Sequence, residues 1–331
     1  MLPSDVACIT LATPFAIGAV NAWLLEGEPL TLVDPGPNVP EAREGLERGL
    51  AERGHRLEDV ELVLLTHQHH DHVGLAGWVR ERSGAQVAAI APLAEFLADF
   101  EHSMDQDDAY AVAAMLRHGV EPDVARELNG VSRSWRGVGA GVHVDRVLQP
   151  GEEVIAGGRS LSVLVRPGHS PTDTLFHDVR DGVLVGGDHL LLHVSSNPVA
   201  HWPPGNRDPG ALAASPERPR PLRDYLDSLS RTGELDVSVV LPGHGKPFAD
   251  HRDLIAGRQS LHSRRAETIF KRIEGRPTAV EVGRALWRRI PVTQAFLVLS
   301  EVLGHVDLLE AEGRVREAED DDGVVRLERT G

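Results

Sequence analysis

The chain has 331 residues, enough for one large domain and a small one, with 41% hydrophobic and 25% charged residues, as in ordinary globular proteins. Its net charge of -16 repels phosphate backbones and argues against bulk nucleic-acid binding unless a basic patch is set apart. The single cysteine, Cys8, excludes an internal disulfide and any cysteine-cluster metal site, which fits a reducing compartment.

The opening stretch, MLPSDVACITLATPFAIGAV, is apolar but has no Lys or Arg ahead of its apolar part, and Asp5 and Pro14 interrupt it. It reads poorly as a signal peptide. No run approaches the length of a membrane span, so a cytoplasmic protein with no membrane partner is expected. Residues 1–34 read as short strands, ACITLAT, AVNAWLLEG and LTLVD, broken by Gly and Pro. Residues 40–54 read as an amphipathic helix closed by Gly54. VELVLLTH is then a buried strand that runs into a histidine cluster, THQHHDH. GLAGWVRERSG reads as a helix and AQVAAIA as the next strand. Residues 92–140 are helical in pattern and look like an inserted cap. The acidic tilt of this insert points to a neutral or cationic group near an entrance.

Strands return at RSLSVLVRPGH, TLFHDV and GVLVGGDH. A loop rich in Pro and Arg covers 203–221, followed by a helix, LRDYLDSLSRTG, and a strand, VSVVLPGHG. From residue 251 the pattern changes to three helices and a hairpin. The second helix, over 278–290, has Thr278 as its N-cap. The third lines up Leu299, Val302, Leu303, Val306 and Leu309 on one face. Two strands follow around an Asp-Asp-Gly turn, which completes a winged-helix-like outline. The expected domains are 1–250, carrying the insert, and 251–331.

The chemistry lies at strand ends. His67, His69, Asp71 and His72 follow one buried strand, and alternation along an extended segment would let His67, His69 and Asp71 converge. His169, Asp188 and His244 each follow another β-branched run, beside Gly. Imidazoles and carboxylates suit zinc, iron or manganese. The donors divide into His67, His69 and His169 for one ion and Asp71, His72 and His244 for a second, with Asp188 between them. Such a pair of divalent ions, zinc first, would share a bridging hydroxide. A lone His-x-His is more often packed or solvated than ligating; here three further Gly-flanked donors complete the count. His70 points away in the alternation. His55, His102, His118, His143 and His305 are read as surface or core residues. Asp34 and Asp173 could fix imidazole tautomers, although Asp34 before Pro35-Gly36 is equally a turn residue. His193, Asn197, His201 and Trp202 follow Asp188 and could contact substrate.

THQHHDH, PGHSPTDT, GGDH and LPGHG, with Asp34 in TLVDPG, resemble the metallo-β-lactamase-fold hydrolases over about residues 6–250. The resemblance implies an α/β fold, a four-layer αβ/βα sandwich with the metals at one sheet edge, and the ligands named above. Departures narrow it. Class B1 lactamases place a Cys on the second metal, and Cys8 cannot serve. All-His lactamases lack a bridging aspartate, and flavodiiron proteins carry Glu where this chain has His69. The pattern is most similar to the glyoxalase II-like group, and in its tail to the lactamase-β-like endoribonucleases. The glutathione-gripping Lys, Arg and Tyr cluster is not found. The catalytic Tyr of the acyl-homoserine lactonases has no clear counterpart, since Tyr occurs only at 110 and 225.

The expected activity is dinuclear, metal-dependent hydrolysis of thioesters or related small-molecule esters, with Asp71 orienting the hydroxide. The alternative is an endoribonuclease on the same metals. Residues 251–290 hold ten Lys/Arg against four Asp/Glu, but residues 291–331 hold four against ten, and a basic helix is more often a solvated face. A catalytically silent relative whose tail forms a homodimer, and a mononuclear iron dioxygenase, are the remaining readings.

Overall fold

The computed structural model describes residues 2–203, 208–287 and 291–330. Positions 204–207 of the Pro/Arg-rich loop and the last three positions of the helix expected over 278–290 lie outside the described residues. Strands β1 (Val6–Leu11), β2 (Val20–Leu25) and β3 (Thr31–Val33) form an antiparallel meander. Helix α1 (Pro40–Glu52) leads to β4 (Leu62–Leu64), and α2 (His70–Val73) and α3 (Ala76–Ser83) lead to β5 (Gln86–Ile90), each strand parallel to the one before. Helices α4 (Ala91–Ala98), α5 (Phe100–Arg117) and α6 (Pro122–Trp135) form the insert ahead of β6 (Arg146–Leu148). These strands make a six-stranded sheet in sequential order.

The second sheet begins with an antiparallel run, β7 (Glu153–Ala156), β8 (Arg159–Val165), β9 (Thr174–Asp178) and β10 (Val183–Gly187). Helices α7 (Pro209–Ala213) and α8 (Pro221–Gly233) precede β11 (Val239–Pro242), which pairs parallel to β10. Then come α9 (His251–Phe270), α10 (Ala279–Leu286), α11 (Ala295–Ala311) and the hairpin β12 (Val315–Glu319) and β13 (Val325–Arg329).

The sheets face one another through a single core. Leu32, Val63 and Val87 of the first share it with Val163, Phe176 and Val185 of the second. Leu46 and Leu50 of α1 and Val79 of α3 extend it outward, while Tyr225 and Leu229 of α8 and Ile255 of α9 cover Leu184 and Val240 on the far side. This is the four-layer α/β sandwich that the motif order implied. The central strands are buried along their whole length, which is why they read as continuous apolar runs rather than alternating ones. The edge strands β6 and β7 escape sequence reading because they are short and leave Val147 and Ile155 about half exposed.

Thr278 caps α10 with a reciprocal box: its hydroxyl accepts from Glu281 N and Glu281 accepts from Thr278 N. The predicted stripe on α11 is buried. The helices after residue 250 share their core with the insert, since Met115 and Ala125 join Ile269, Val302 and Leu309. One expectation needs correcting: Val292–Ala311 is long and apolar enough, by length and composition, to cross a membrane. Half of it is buried within the fold, and its Asp307 carboxylate is held by Arg218 at 2.6 Å and Arg220 at 2.9 Å.

Candidate metal centre

All seven predicted donors meet at one edge of the sandwich. His67 and His69 occupy the turn after β4, and Asp71 and His72 fall in the first turn of α2. His169 lies between β8 and β9, Asp188 directly follows β10, and His244 follows β11. His67, His69 and His169 form one close group, and Asp71, His72 and His244 another. Asp188 lies between them, its carboxylate oxygens 3.5 Å from His72 Nε2, 3.5 Å from His244 Nε2 and 3.7 Å from His169 Nε2. Strand alternation explains only part of this. The chain turns helical at His70, so Asp71 does not continue the His67–His69 row but swings with His72 toward His244, 3.3 Å from its Nε2. His70 stays outside both groups, its ring edge against Phe100.

The outward-facing nitrogens decide what the inward ones can do. Thr66 Oγ1 donates to Asp34 Oδ2 at 2.6 Å, so toward His67 Nδ1, at 2.8 Å, it acts as acceptor. Asp34 also accepts from His72 Nδ1 at 2.9 Å, and Ala19 O accepts from His244 Nδ1 at 2.8 Å. His201 Nδ1 lies 2.9 Å from Asp107 Oδ2, so His201 Nε2 is left to accept from His69 Nε2 at 3.2 Å. Each partner places the proton on the outer nitrogen and leaves a lone pair pointing inward. His67 Nε2 then faces His69 Nδ1 at 3.1 Å, and His169 Nε2 faces the same atom at 2.9 Å. The facing lone pairs of His67 and His69 repel at that spacing unless a cation lies between them, whereas His169 Nδ1 has no hydrogen-bond partner to fix the proton of that ring. His72 Nε2 and Asp188 Oδ1 are buried without a hydrogen-bond partner, the condition of ligand atoms. The donor set therefore fits metal ions.

The electrostatics divide along the same line. Burial and neighbouring imidazoles hold His67 and His69 well below the usual histidine range, and burial takes His169 down to about 4. Burial also opposes charge on His72 and His244, but Asp188 and Asp71 outweigh it and raise both rings, so these carboxylates favour a positive charge at the inward Nε2 positions, which a proton or a metal ion would supply. Burial would raise Asp188, yet His72, His244 and His169 carry it far below the carboxylate range.

The support of the centre was only partly visible in the sequence. Asp34 sits in a left-handed turn (φ 52°) with its carboxylate committed to Thr66 and His72, so it is both the turn residue and the tautomer-fixing group. Asp173, driven up to about 8 by burial, accepts from Ser170 N and steadies the His169 loop rather than an imidazole. Asn21 was missed: its amide donates to Pro242 O and Gly245 O, and Trp23 Nε1 also donates to Pro242 O, which fixes the His244 turn. A polar Asn inside the apolar run AVNAWLLEG was the available signal. Gly243 was missed too, although a Cβ there would overlap Asp188 Oδ1 and lie 2.6 Å from His72 Cε1.

A cavity of about 510 Å³ opens from the donors between the insert and α11. Asn197 and His201 line it, as expected, whereas Trp202 is buried in a separate apolar cluster and His193 is not among the lining residues. Arg258 of the basic α9 donates to Leu191 O and Val194 O, holding the loop that forms one wall.

A model of the metallo-beta-lactamase superfamily matches residues 16–244. The chain is 33% identical over 314 residues, 94% of each protein, to the probable metallo-hydrolase YqjP of Bacillus subtilis. It is 33% identical over 96 residues, 29% of this chain and 36% of the other, to a hydroxyacylglutathione hydrolase of Methylobacterium nodulans. Among solved structures, a beta-lactamase domain protein of Burkholderia ambifaria superposes with a TM-score of 0.82 at 29% identity, covering 99% of this chain and 93% of that one. A metallo-beta-lactamase family protein of Thermus thermophilus gives 0.77 at 29% identity, with 99% and 100% covered. With the donor order, the sandwich and these relatives in agreement, the chain belongs to the metallo-beta-lactamase superfamily.

Proposed function

We propose that this metal-dependent hydrolase holds two divalent ions, zinc first, and cleaves thioesters or related small-molecule esters. His67, His69 and His169 would hold one ion and Asp71, His72 and His244 the other, with Asp188 set between the two groups. The observation that carries this reading is the set of inward lone pairs with Asp188 set between the two groups. Ions bound there supply Lewis acidity toward an acyl oxygen and acidify water. Asp71, 3.3 Å from His244 Nε2, would be the carboxylate placed to orient a water and accept its proton. Asp34, Thr66, His201 and Ala19 keep the imidazole lone pairs aimed inward, so no reorganisation is needed when substrate arrives. The partial likeness to a hydroxyacylglutathione hydrolase supports an acyl substrate.

The test is turnover of an ester and thioester panel by the zinc-loaded chain, with Asp71→Ala and His70→Ala alongside. Asp71→Ala is expected to lose about a hundredfold or more in kcat, and His70→Ala less than about tenfold. Equal losses would refute the assignment of Asp71.

A further inference from the structure

We infer that the substrate is an uncharged acyl compound whose apolar chain runs along α5 between α6 and α11, so that the C-terminal helix helps to set chain length. This rests on the hydrolase reading above. Helix α5 presents Asp107, Ala111 and Met115 to the cavity, one stripe at four-residue spacing. Asp107 marks the metal end, because it holds His201 against His69. From there the stripe turns apolar. Helical rise puts about 12 Å between Asp107 and Met115, the reach of an extended chain of roughly eight to ten carbons. Val112, Leu128 of α6 and Phe296 of α11 complete the walls.

Charge argues against an ionic group at the far end of the substrate. Among the described residues lining the cavity there is no Lys or Arg, so beyond the metal end no side-chain cation grips a phosphate or a second carboxylate. The acidic residues beyond the metal end are already engaged. Asp107 accepts from His201 and from Trp202 N, and Asp108 accepts from Ser132 and Arg136. A cationic substrate therefore finds no free partner at either position. Asn129, Ser195 and Asn197 also line the cavity and keep unpartnered oxygens for an uncharged polar group, while the α5 stripe with Val112, Leu128 and Phe296 fits a hydrocarbon chain, for which affinity grows with each buried methylene.

The experiment uses the full chain loaded with zinc. Its substrates are 4-nitrophenyl esters from acetate to decanoate, the matching N-acetylcysteamine thioesters, and one ester whose chain ends in a carboxylate. kcat/KM is expected to rise about threefold per methylene up to eight or ten carbons, and the carboxylate-ended chain to lose that gain. Ala111→Phe fills the channel and should lower the octanoate-to-acetate ratio by at least about tenfold, whereas Phe296→Ala opens it and should move the optimum to longer chains. Within each variant, the acetate rate reports whether the site has folded. A flat or falling chain-length profile, or a preference for the charged chain, overturns the inference while leaving the hydrolase standing. Displacement of the neutral dye N-phenyl-1-naphthylamine by alkan-1-ols reads the channel without chemistry. Tighter displacement by decanol than by butanol, lost in Ala111→Phe, supports the channel even if no ester is turned over. In that case it is the ester reading that fails. Equal displacement by the two alcohols overturns the channel.

Discussion

Two pairs of histidines in this molecule have nearly the same spacing and opposite meanings. At the metal centre, His67 Nε2 and His69 Nδ1 are 3.1 Å apart; in the C-terminal core, His262 Nδ1 and His305 Nε2 are 3.2 Å apart. In the core pair, His305 Nδ1 donates to Glu301 O at 2.6 Å, so its Nε2 accepts a proton from His262 and the contact is an ordinary hydrogen bond. At the metal centre the protons are drawn outward by Thr66 and His201, and the facing atoms are both lone pairs. Burial of a histidine therefore says little by itself. The direction in which its neighbours hold the proton, and whether carboxylates such as Asp71 and Asp188 stand beside it, separate a ligand from a packed ring.

The largest effect expected from breaking this contrast is at Gly243. Gly243→Ala drives a methyl into Asp188 and His72, and should abolish the second ion while the all-histidine group keeps the first. Metal content should fall from two ions per chain to one, with about a thousandfold loss of turnover. Unchanged metal content would mean that the turn yields and the close approach is unimportant. A smaller effect follows from releasing the proton that His201 holds in place. His201→Ala, or Asp107→Asn, should weaken metal binding by about ten- to a hundredfold, measured by competition with a coloured chelator. His193→Ala, in a residue outside the cavity wall, should not change it.

The smallest effect concerns the packed histidines. Burial lowers His262 and His305 to about 4 and His118 to about 3. Their folded values lie below the unfolded value of about 6.5. As pH falls through that value the unfolded chain takes up protons first, so stability is present above about pH 6.5 and is lost toward pH 4. Each ring costs up to about 1 kcal/mol per pH unit in that window. Asp307, raised to about 6 by burial, works in the opposite direction and offsets part of the loss, because its folded form gains a proton before the unfolded one does. In metal-stripped protein, the denaturant midpoint should drop more steeply from pH 6.5 to 5 for wild type than for His262→Gln; parallel curves would contradict it.

Much of the centre was legible because strand ends and glycine turns punctuate the sequence, and donors placed there must share a sheet edge. THQHHDH, GGDH and LPGHG could be counted without knowing how the sheets pack. The supporting residues were harder to read because their roles depend on partners distant in sequence. Asn21 reaches the His244 turn across more than two hundred residues, and His201 acts through Asp107 of the insert. The insert's acidic tilt was visible, but not its use: Asp105, Asp107 and Asp108 are spent on Arg133, Arg136 and His201. Part of the basic run after residue 250 is likewise paired within the fold, for example Arg265 with Glu301 and Arg284 with Glu121. Formal charge along a sequence does not reveal which charges remain free.

The central claim is that two ions bind between these seven side chains. Calorimetric titration of zinc into chelator-stripped protein tests it most directly. Wild type should bind two ions per chain, with substantially less binding for Asp188→Ala, which removes the carboxylate set between the groups. One ion per chain in wild type, or the same stoichiometry and affinity in Asp188→Ala, would contradict it.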